Sequence, residues 1–354
     1  MRKTHKVLVA MSGGVDSTAA AILLKDKGYE IAGATMLLDG VMEKQISEAA
    51  RIALMLGIEH TILDYRKLFK ERIINSFVAS YRRGMTPNPC VRCNEEIKFG
   101  RFLNDAEALG FSHMATGHYA RTEMDAGLGK YVIRRGADKA RDQTYFLYRL
   151  KQHQLSRILT PLAYCSKNEV RKLVRDFDPD VSEKADSQEI CFIHDSDYRE
   201  FIYRETREQF KQGFFIDTKG RILGVHKGVE NYTAGQRKGL GIRHEKPLYV
   251  LSIEAAKNLV ILGEHDECYG RSIYIEDISL VYADQINDGM TVECKVRSAA
   301  VPVKACLYDK GNCAEAVFEE PVWAPAPGQS AVFYENDTVF GGGIITGVRR
   351  HNDI

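Results

Sequence analysis

Residues 7–20 read VLVAMSGGVDSTAA. An apolar run breaks into two glycines, an aspartate and two hydroxyl residues, then resumes as helix-forming alanines. A strand that feeds a glycine pair and then a helix N-terminus makes an anion site. The first helical amides have no partner within the helix, and glycine lets the backbone come close to a guest. Phosphate is the natural guest. Two better-known phosphate loops are excluded, because no lysine precedes Ser17 as GxxxxGK[ST] requires and GxGxxG does not fit. Asp16 instead sits among the phosphate-binding groups, where a carboxylate is repulsive unless magnesium bridges it to the ligand. The plainer alternative is a glycine-rich turn with a capping serine.

Working outward, strand and helix alternate. HKVLVAM is a short apolar run, STAAAILLKDKG a helix ending at Gly28, and EIAGATMLLD a second strand; EKQISEAARIALMLG is an amphipathic helix with Gly57 past its end, and EHTILDY a third strand. That order predicts an α/β, Rossmann-like domain, a parallel sheet covered by helices. Beyond it come a helix over KLFKERIINSFVASYRRG, a turn-rich segment TPNPCVRCNEE, a helix around IKFGRFLNDAEALG and a strand SHMATG. SKNEVRKLVRDF opens on a capping box, Ser166 and Glu169. From Pro247 onward short period-two segments, PLYVLSIE and NLVILGE first among them, alternate with glycine, proline, asparagine and aspartate and suggest a small antiparallel β-barrel. A glycine- and cation-rich unit, FKQGFFIDTKGRILGVHKGVENYTAGQRKGLGIRHEK, separates the two patterns. The division expected is a catalytic domain over 1–205, a small central domain over 206–265 and a C-terminal β-barrel over 266–354.

Over 354 residues, Lys plus Arg number 49 against 48 Asp plus Glu, so no global charge argues for nucleic acid or a membrane surface. A polyanion must be held by local patches, of which Gln236, Arg237 and Lys238 in AGQRKGLGIRH form the most concentrated. No apolar stretch is long enough to cross a bilayer, and MRKTHKVLVAM runs directly into a strand pattern rather than a secretory signal, so a cytoplasmic protein with no membrane partner is expected. Eight cysteines are too sparse for a disulfide framework, and they are read as thiols, core fillers or reactive groups.

SGGVDS resembles the signature of the PP-loop ATP pyrophosphatases, which cleave ATP between its α and β phosphates and adenylate a substrate oxygen. TPNPCVRCNEEIKF, TGHYA, RDQTYFL, ADSQEICFI, YTAGQRKGLGI and PGQSAVFY, in this order, resemble the tRNA-specific 2-thiouridylases of bacteria and mitochondria. The resemblance runs from Ser12 to Tyr334. It implies that the C2 oxygen of the wobble uridine in tRNA (Lys, Glu and Gln acceptors) is adenylated with ATP and Mg2+ and then displaced by sulfur. It also implies a cysteine persulfide as carrier, supplied by a sulfur-relay protein or a cysteine desulfurase.

By the same resemblance Cys191 corresponds to the persulfide carrier and Cys93 to the nucleophile. Ala10, Met11, Ser12, Gly13, Gly14, Val15, Asp16 and Ser17 form the phosphate loop, with Met36 on the adenine side and Gly117 as a further ATP contact. Asn88, Pro89 and Cys90 match the stretch that meets the target base. His118, Arg141, Asp142, Gln143, Arg297 and Gln329 match positions that face tRNA. The chain departs from the family pattern at Cys90, where that pattern has aspartate, and after Arg297, where a basic residue and a glutamine give way to SAAVP. The departure at Cys90 leaves free thiols, an iron-sulfur cluster held by Cys90, Cys93 and Cys191, or a structural zinc. Cys165, Cys268, Cys294, Cys306 and Cys313 belong to no motif and are read as core fillers. Trp323, in a proline-rich turn, is read as an anchor of the barrel's edge. Two other functions remain open: a PP-loop adenylating enzyme acting on a small molecule, which needs neither Cys93 nor Cys191, and a non-catalytic RNA-binding protein with a metal at CVRC.

Overall fold

A computed structural model describes residues 5–38, 43–186, 190–193 and 197–350. The chain divides into two compact units, one built from Met1–Ile73, Cys90–Phe192 and Asp337–Val339, the other from Ile74–Pro89, Ile193–Asn336 and Phe340–Ile354.

In the first unit the strands are β1 (Lys6–Ala10), β2 (Glu30–Leu37), β3 (His60–Asp64), β4 (His113–Ala115), the pair β5 (Ala120–Asp125) and β6 (Lys130–Arg135), and β7 (Ile158–Leu159). Five form a sheet in the order β3-β2-β1-β4-β7, parallel throughout. Val7, Leu8 and Val9 of β1 are all buried. Both faces of the strand are therefore covered, which is why it reads as a continuous apolar run rather than an alternation. The alanines of the helix α1 (Val15–Asp26) are fully buried at 19–21, so the helix lies close on the sheet. The β5–β6 hairpin closes on Asp125, whose Oδ1 accepts from the amides of Gly127 and Leu128. Sequence periodicity passed over it, because half-buried strands rich in arginine and glutamate give little alternation in apolar character.

CVRC is not in a turn. Pro89–Cys93 is helical and continues as π-helical Asn94–Arg101 and α-helical Phe102–Ala108. Proline is at home in the first helical turn, where its missing N–H costs nothing, and that is what the turn-rich composition concealed.

The second unit holds two sheets. β8 (Gly213–Asp217), β9 (Ile222–His226), β10 (Tyr249–Glu254) and β11 (Leu259–Gly263) form one in the order β10-β11-β8-β9. PLYVLSIE and NLVILGE, which open the period-two pattern read as barrel-like but fall inside the expected central domain of 206–265, are β10 and β11 of this sheet. β11 pairs in parallel with β8, a long-range pairing that local alternation cannot reveal. The barrel proper is β12 (Tyr269–Leu280), β13 (Met290–Lys295), β14 (Val303–Asp309), β15 (Ala314–Trp323), β16 (Ser330–Glu335) and β17 (Thr338–Arg350). It runs in the order β12-β15-β14-β13-β16-β17 and closes by antiparallel pairing of β12 with β17.

Of the cysteines outside the motifs, Cys268 and Cys294 are buried fillers, whereas Cys165, Cys306 and Cys313 are only half-buried. Trp323 ends β15, stacks on His265 with centroids 4.6 Å apart, and meets Tyr249 and Tyr269 edge-on.

Candidate active site

The strand order reverses between β1 and β4, and in open parallel sheets a ligand crevice opens at the carboxyl ends of the two strands flanking that point. After β1 comes the glycine loop, and after β4 comes Thr116-Gly117-His118. The two stretches, about a hundred residues apart in sequence, meet there.

The glycine loop is held by its own hydroxyls. Ser17 Oγ donates to Gly14 O and accepts from the Ser12 amide at 3.2 Å, while Thr18 Oγ1 donates to Gly14 O at 2.8 Å. Gly14 is the N-cap of α1 and makes no side-chain cap, as suits an anion guest at the first amides; the capping serine of the plainer alternative does not stand at the N-cap. Gly13 has φ +72°, and a Cβ there would stand 3.0 Å from Gln45 O and from Glu48 Cβ. Only glycine fits both demands.

Gly117 lies directly behind the acidic residue. A Cβ at 117 would stand 2.7 to 2.9 Å from the carbonyl and Cβ of Asp16. Gly117→Ala should therefore push the start of α1 out of place, at a cost of about 1–3 kcal/mol in unfolding free energy. Denaturant titration checks this, and an unchanged midpoint would refute the packing argument.

Asp16 is not isolated. Its Oδ1 accepts from Tyr119 OH at 2.9 Å and from Lys167 Nζ at 2.7 Å. Burial, then the charge of Asp16, pushes the Tyr119 hydroxyl well up, so it remains a donor. The Lys167 side chain, only 9% exposed, also pairs with Asp186 at 2.8 Å. Arg171 and Arg141 reach the same carboxylate at 2.8 and 2.9 Å. Burial opposes the charged form of Asp186, but the Lys167 hydrogen bond and the surrounding cations outweigh it and hold the carboxyl below its usual range. Lys184 Nζ donates to Gly13 O at 2.9 Å. Sequence reasoning missed Tyr119, Lys167, Lys184 and Asp186. The capping box found the start of the helix Lys167–Phe177, but nothing local says that its first ammonium meets a carboxylate 151 positions earlier.

The cysteines of the two distant motifs belong to this unit. Cys93 is 5% exposed, Cys90 is half-buried and Cys191 is exposed. Burial pushes the Cys93 thiol up to about 12; Lys98 acts in the opposite direction, and Cys191 and Cys90 add to the rise. Cys93 is therefore within electrostatic reach of both. Residues 187–189 of ADSQEICFI lie outside the described residues.

The remaining expected residues divide. Met36 ends up half-buried near the end of β2. His118 Nδ1 is 2.8 Å from Thr116 Oγ1 and its ring lies against Phe99; burial, helped by the charge of Lys98, lowers its pKa to about 3, so it is neutral. Gln143 Oε1 accepts the Tyr119 amide, Asp142 caps Thr144, and Arg141 is taken by Asp186. RDQ thus braces the wall of the crevice. In the second unit Asn88 is half-buried and Pro89 buried. Gln329 Nε2 donates to Thr86 O at 2.9 Å, and Arg297 donates to Ala234 O and Ala324 O at 2.8 and 2.6 Å. Gln236 bonds back to Thr233 and Lys238 across its own turn and lines a cavity of about 500 Å3 with Arg199, Lys238 and Arg297.

Three family models match in succession: a tRNA methyl transferase HUP domain over residues 5–195, a tRNA methyl transferase PRC-barrel domain over 199–264 and an aminomethyltransferase β-barrel domain over 270–345. The tRNA-specific 2-thiouridylase MnmA of Clostridioides difficile is 40% identical over 98% of this chain and 99% of its own length. MnmA 2 of Caldanaerobacter subterraneus is 43% identical at the same coverage, and MnmA of Syntrophomonas wolfei 44% over 96% and 99%. The chain belongs to the tRNA-specific 2-thiouridylase family.

For this thiouridylase-family chain the implied groups can be tested against the residues present. A magnesium nucleotide fits: the N-terminus of α1, which no side chain caps, and the Asp16 carboxylate supply an anion site with a cation ligand beside it. An iron-sulfur cluster or a zinc at CVRC does not. Among the described residues no three cysteine, histidine or acidic side chains converge as a metal-holding set, although Cys90, Cys93 and Cys191 are all described. Also among the described residues, no helix is long and apolar enough to cross a membrane.

Proposed function

We propose that the chain catalyses ATP-dependent 2-thiolation of the wobble uridine of tRNA. The observation that carries this reading is the match, over nearly the whole chain, to relatives named tRNA-specific 2-thiouridylase. The first 205 residues carry the chemistry, and 206–265 and 266–354 carry tRNA.

The physical logic runs through the crevice. The C2 oxygen of uracil leaves badly as oxide, and AMP transferred onto it from ATP converts it into a phosphate-type leaving group. The glycine loop binds the phosphates, Asp16 would hold the Mg2+ that accompanies them, and Lys167 stabilises the charge that grows on the departing pyrophosphate. Cys191 carries sulfane sulfur as a persulfide, delivered by a sulfur-relay protein or a desulfurase. Its terminal sulfur attacks C2 and AMP leaves. Cys93 then attacks Cys191 Sγ; the 2-thiouridine leaves with its sulfur, and a Cys93–Cys191 disulfide holds the two electrons' worth of oxidation. The exposure of Cys191 suits loading by a protein donor, and the burial of Cys93 keeps it from being loaded instead. Nucleoside analysis of tRNA from cells carrying the wild type or a variant tests the function directly; unchanged 2-thiouridine when the gene is deleted would remove it.

The burial of Cys93 sets a pH dependence. Its folded pKa lies above the ordinary value of 9.0, so at neutral pH the thiolate is scarce and grows about tenfold per pH unit. Single-turnover release of thiouridine from persulfide-loaded enzyme should therefore rise from about pH 6 to about pH 9, with Cys93→Ser flat over that range. The same shift stabilises the fold fully below the ordinary thiol pKa, and that contribution is lost as pH climbs toward 12. A rate independent of pH would show that Cys93 is not the group deprotonated in this step.

A further inference from the structure

Cys90 and Cys93 occupy the first turn of a helix that continues without interruption to Ala108. Residues three apart on a helix share a face, and helical geometry sets their Cα atoms about 5 Å apart, inside the span of a disulfide. Cys93 responds electrostatically to both Cys90 and Cys191. Among the described residues the three thiols form no metal-holding set, and Cys93 is the buried one.

We propose that Cys90 is a resolving thiol, which takes over the Cys93–Cys191 disulfide left by sulfur transfer. The inference rests on the persulfide reading above. The Cys90 thiolate attacks Sγ of Cys93, the bond from Cys93 to Cys191 breaks, and the bonding pair departs with Cys191, which takes up the proton Cys90 gave away. One disulfide replaces another, so no oxidant is consumed. A dithiol reductant then opens Cys90–Cys93, supplying two electrons and becoming a disulfide itself.

Solvation favours this direction. Cys191 is exposed and leaves as a hydrated thiolate, whereas Cys93, were it expelled, would leave as a charge in a desolvated site. Cys93 is nearly closed to a bulky reductant, while half-buried Cys90 offers it a point of attack. Sulfur loading on Cys191 is thereby separated from reduction, and the persulfide is spared the reductant.

Trypsin reads the outcome, because Arg92 lies between the two cysteines. Cys90 falls on peptide 84–92, Cys93 on 93–98 and Cys191 on 185–199. Persulfide-loaded full-length enzyme is given ATP and tRNA for one turnover without reductant, quenched in acid with an alkylating agent, and mapped by mass spectrometry. In the wild type 84–92 should be linked to 93–98, about one link per thiouridine formed, with 185–199 alkylated. In Cys90→Ala the link per thiouridine should instead join 93–98 to 185–199. A wild type that forms thiouridine but keeps only the link from 93–98 to 185–199 overturns the inference and leaves the persulfide reading standing. Loaded enzyme that forms no thiouridine overturns both.

Discussion

Replacing Cys191 by serine should reduce 2-thiouridine formation by at least about 10⁴-fold, as loss of a covalent carrier does when the step has no other route, while leaving tRNA-dependent pyrophosphate release within a few fold of wild type. A hydroxyl cannot hold sulfane sulfur, yet the ion pairs of Lys167 with Asp16 and Asp186, to which the nucleotide is assigned, are left in place. Because the side chain is exposed, the exchange adds or removes almost no core contact, so the melting temperature should not move. Liquid chromatography of digested tRNA and a coupled pyrophosphate assay give the two readouts. Retained thiolation would transfer the carrier role elsewhere, and the half-buried Cys90 would be the first place to look.

Asp16→Asn should do the opposite. Pyrophosphate release falls by about 10²-fold or more, the scale for losing one preorganised electrostatic partner, and thiolation falls with it, because an unadenylated C2 oxygen gives sulfur nothing to displace. The amide keeps the shape and one acceptor for Tyr119 OH, but it leaves Lys167 with Asp186 as its only carboxylate in the network and offers Mg2+ a neutral ligand. The Asp16 side chain is 37% exposed, so stability should change little. Persulfide loading of Cys191 should be untouched. The pair of variants therefore separates the two halves of the reaction: one adenylates without sulfur transfer, the other loads sulfur without adenylation. A single variant that lost both would mean that the sites are not independent.

Much of this was legible in particular residues. Val7 to Val9 read as a strand, Ala19 to Ala21 as a helix, and Gly13 and Gly14 as the turn between them, because each property is local. Cys93 and Cys191 stood out through motifs, as did Gly117. The glycine proved to be where a side chain would strike Asp16, a reason beyond the ATP contact that the motif suggested. Other features were opaque. Pro89 hid a helix behind turn composition, the β5–β6 hairpin was masked by its charges, and β10 and β11 looked like barrel strands because alternation says nothing about which sheet a strand joins.

The chain's own order, read alone, determined that a phosphate loop precedes a helix, that an acidic residue stands in that loop, and that thiols are placed in two separated motifs. Those follow from backbone freedom, helix geometry and side-chain chemistry, which act over a few residues. Folding alone decided that Lys167 bridges Asp16 and Asp186, that Tyr119 donates to the loop, that His118 is held neutral, and that Cys93 is buried within electrostatic reach of two other thiols. Each of these depends on desolvation and on Coulombic contact between parts of the chain that local order does not join, 151 positions apart for Lys167 and Asp16 and 103 for Tyr119 and Asp16, and neither quantity exists until those parts have closed on one another.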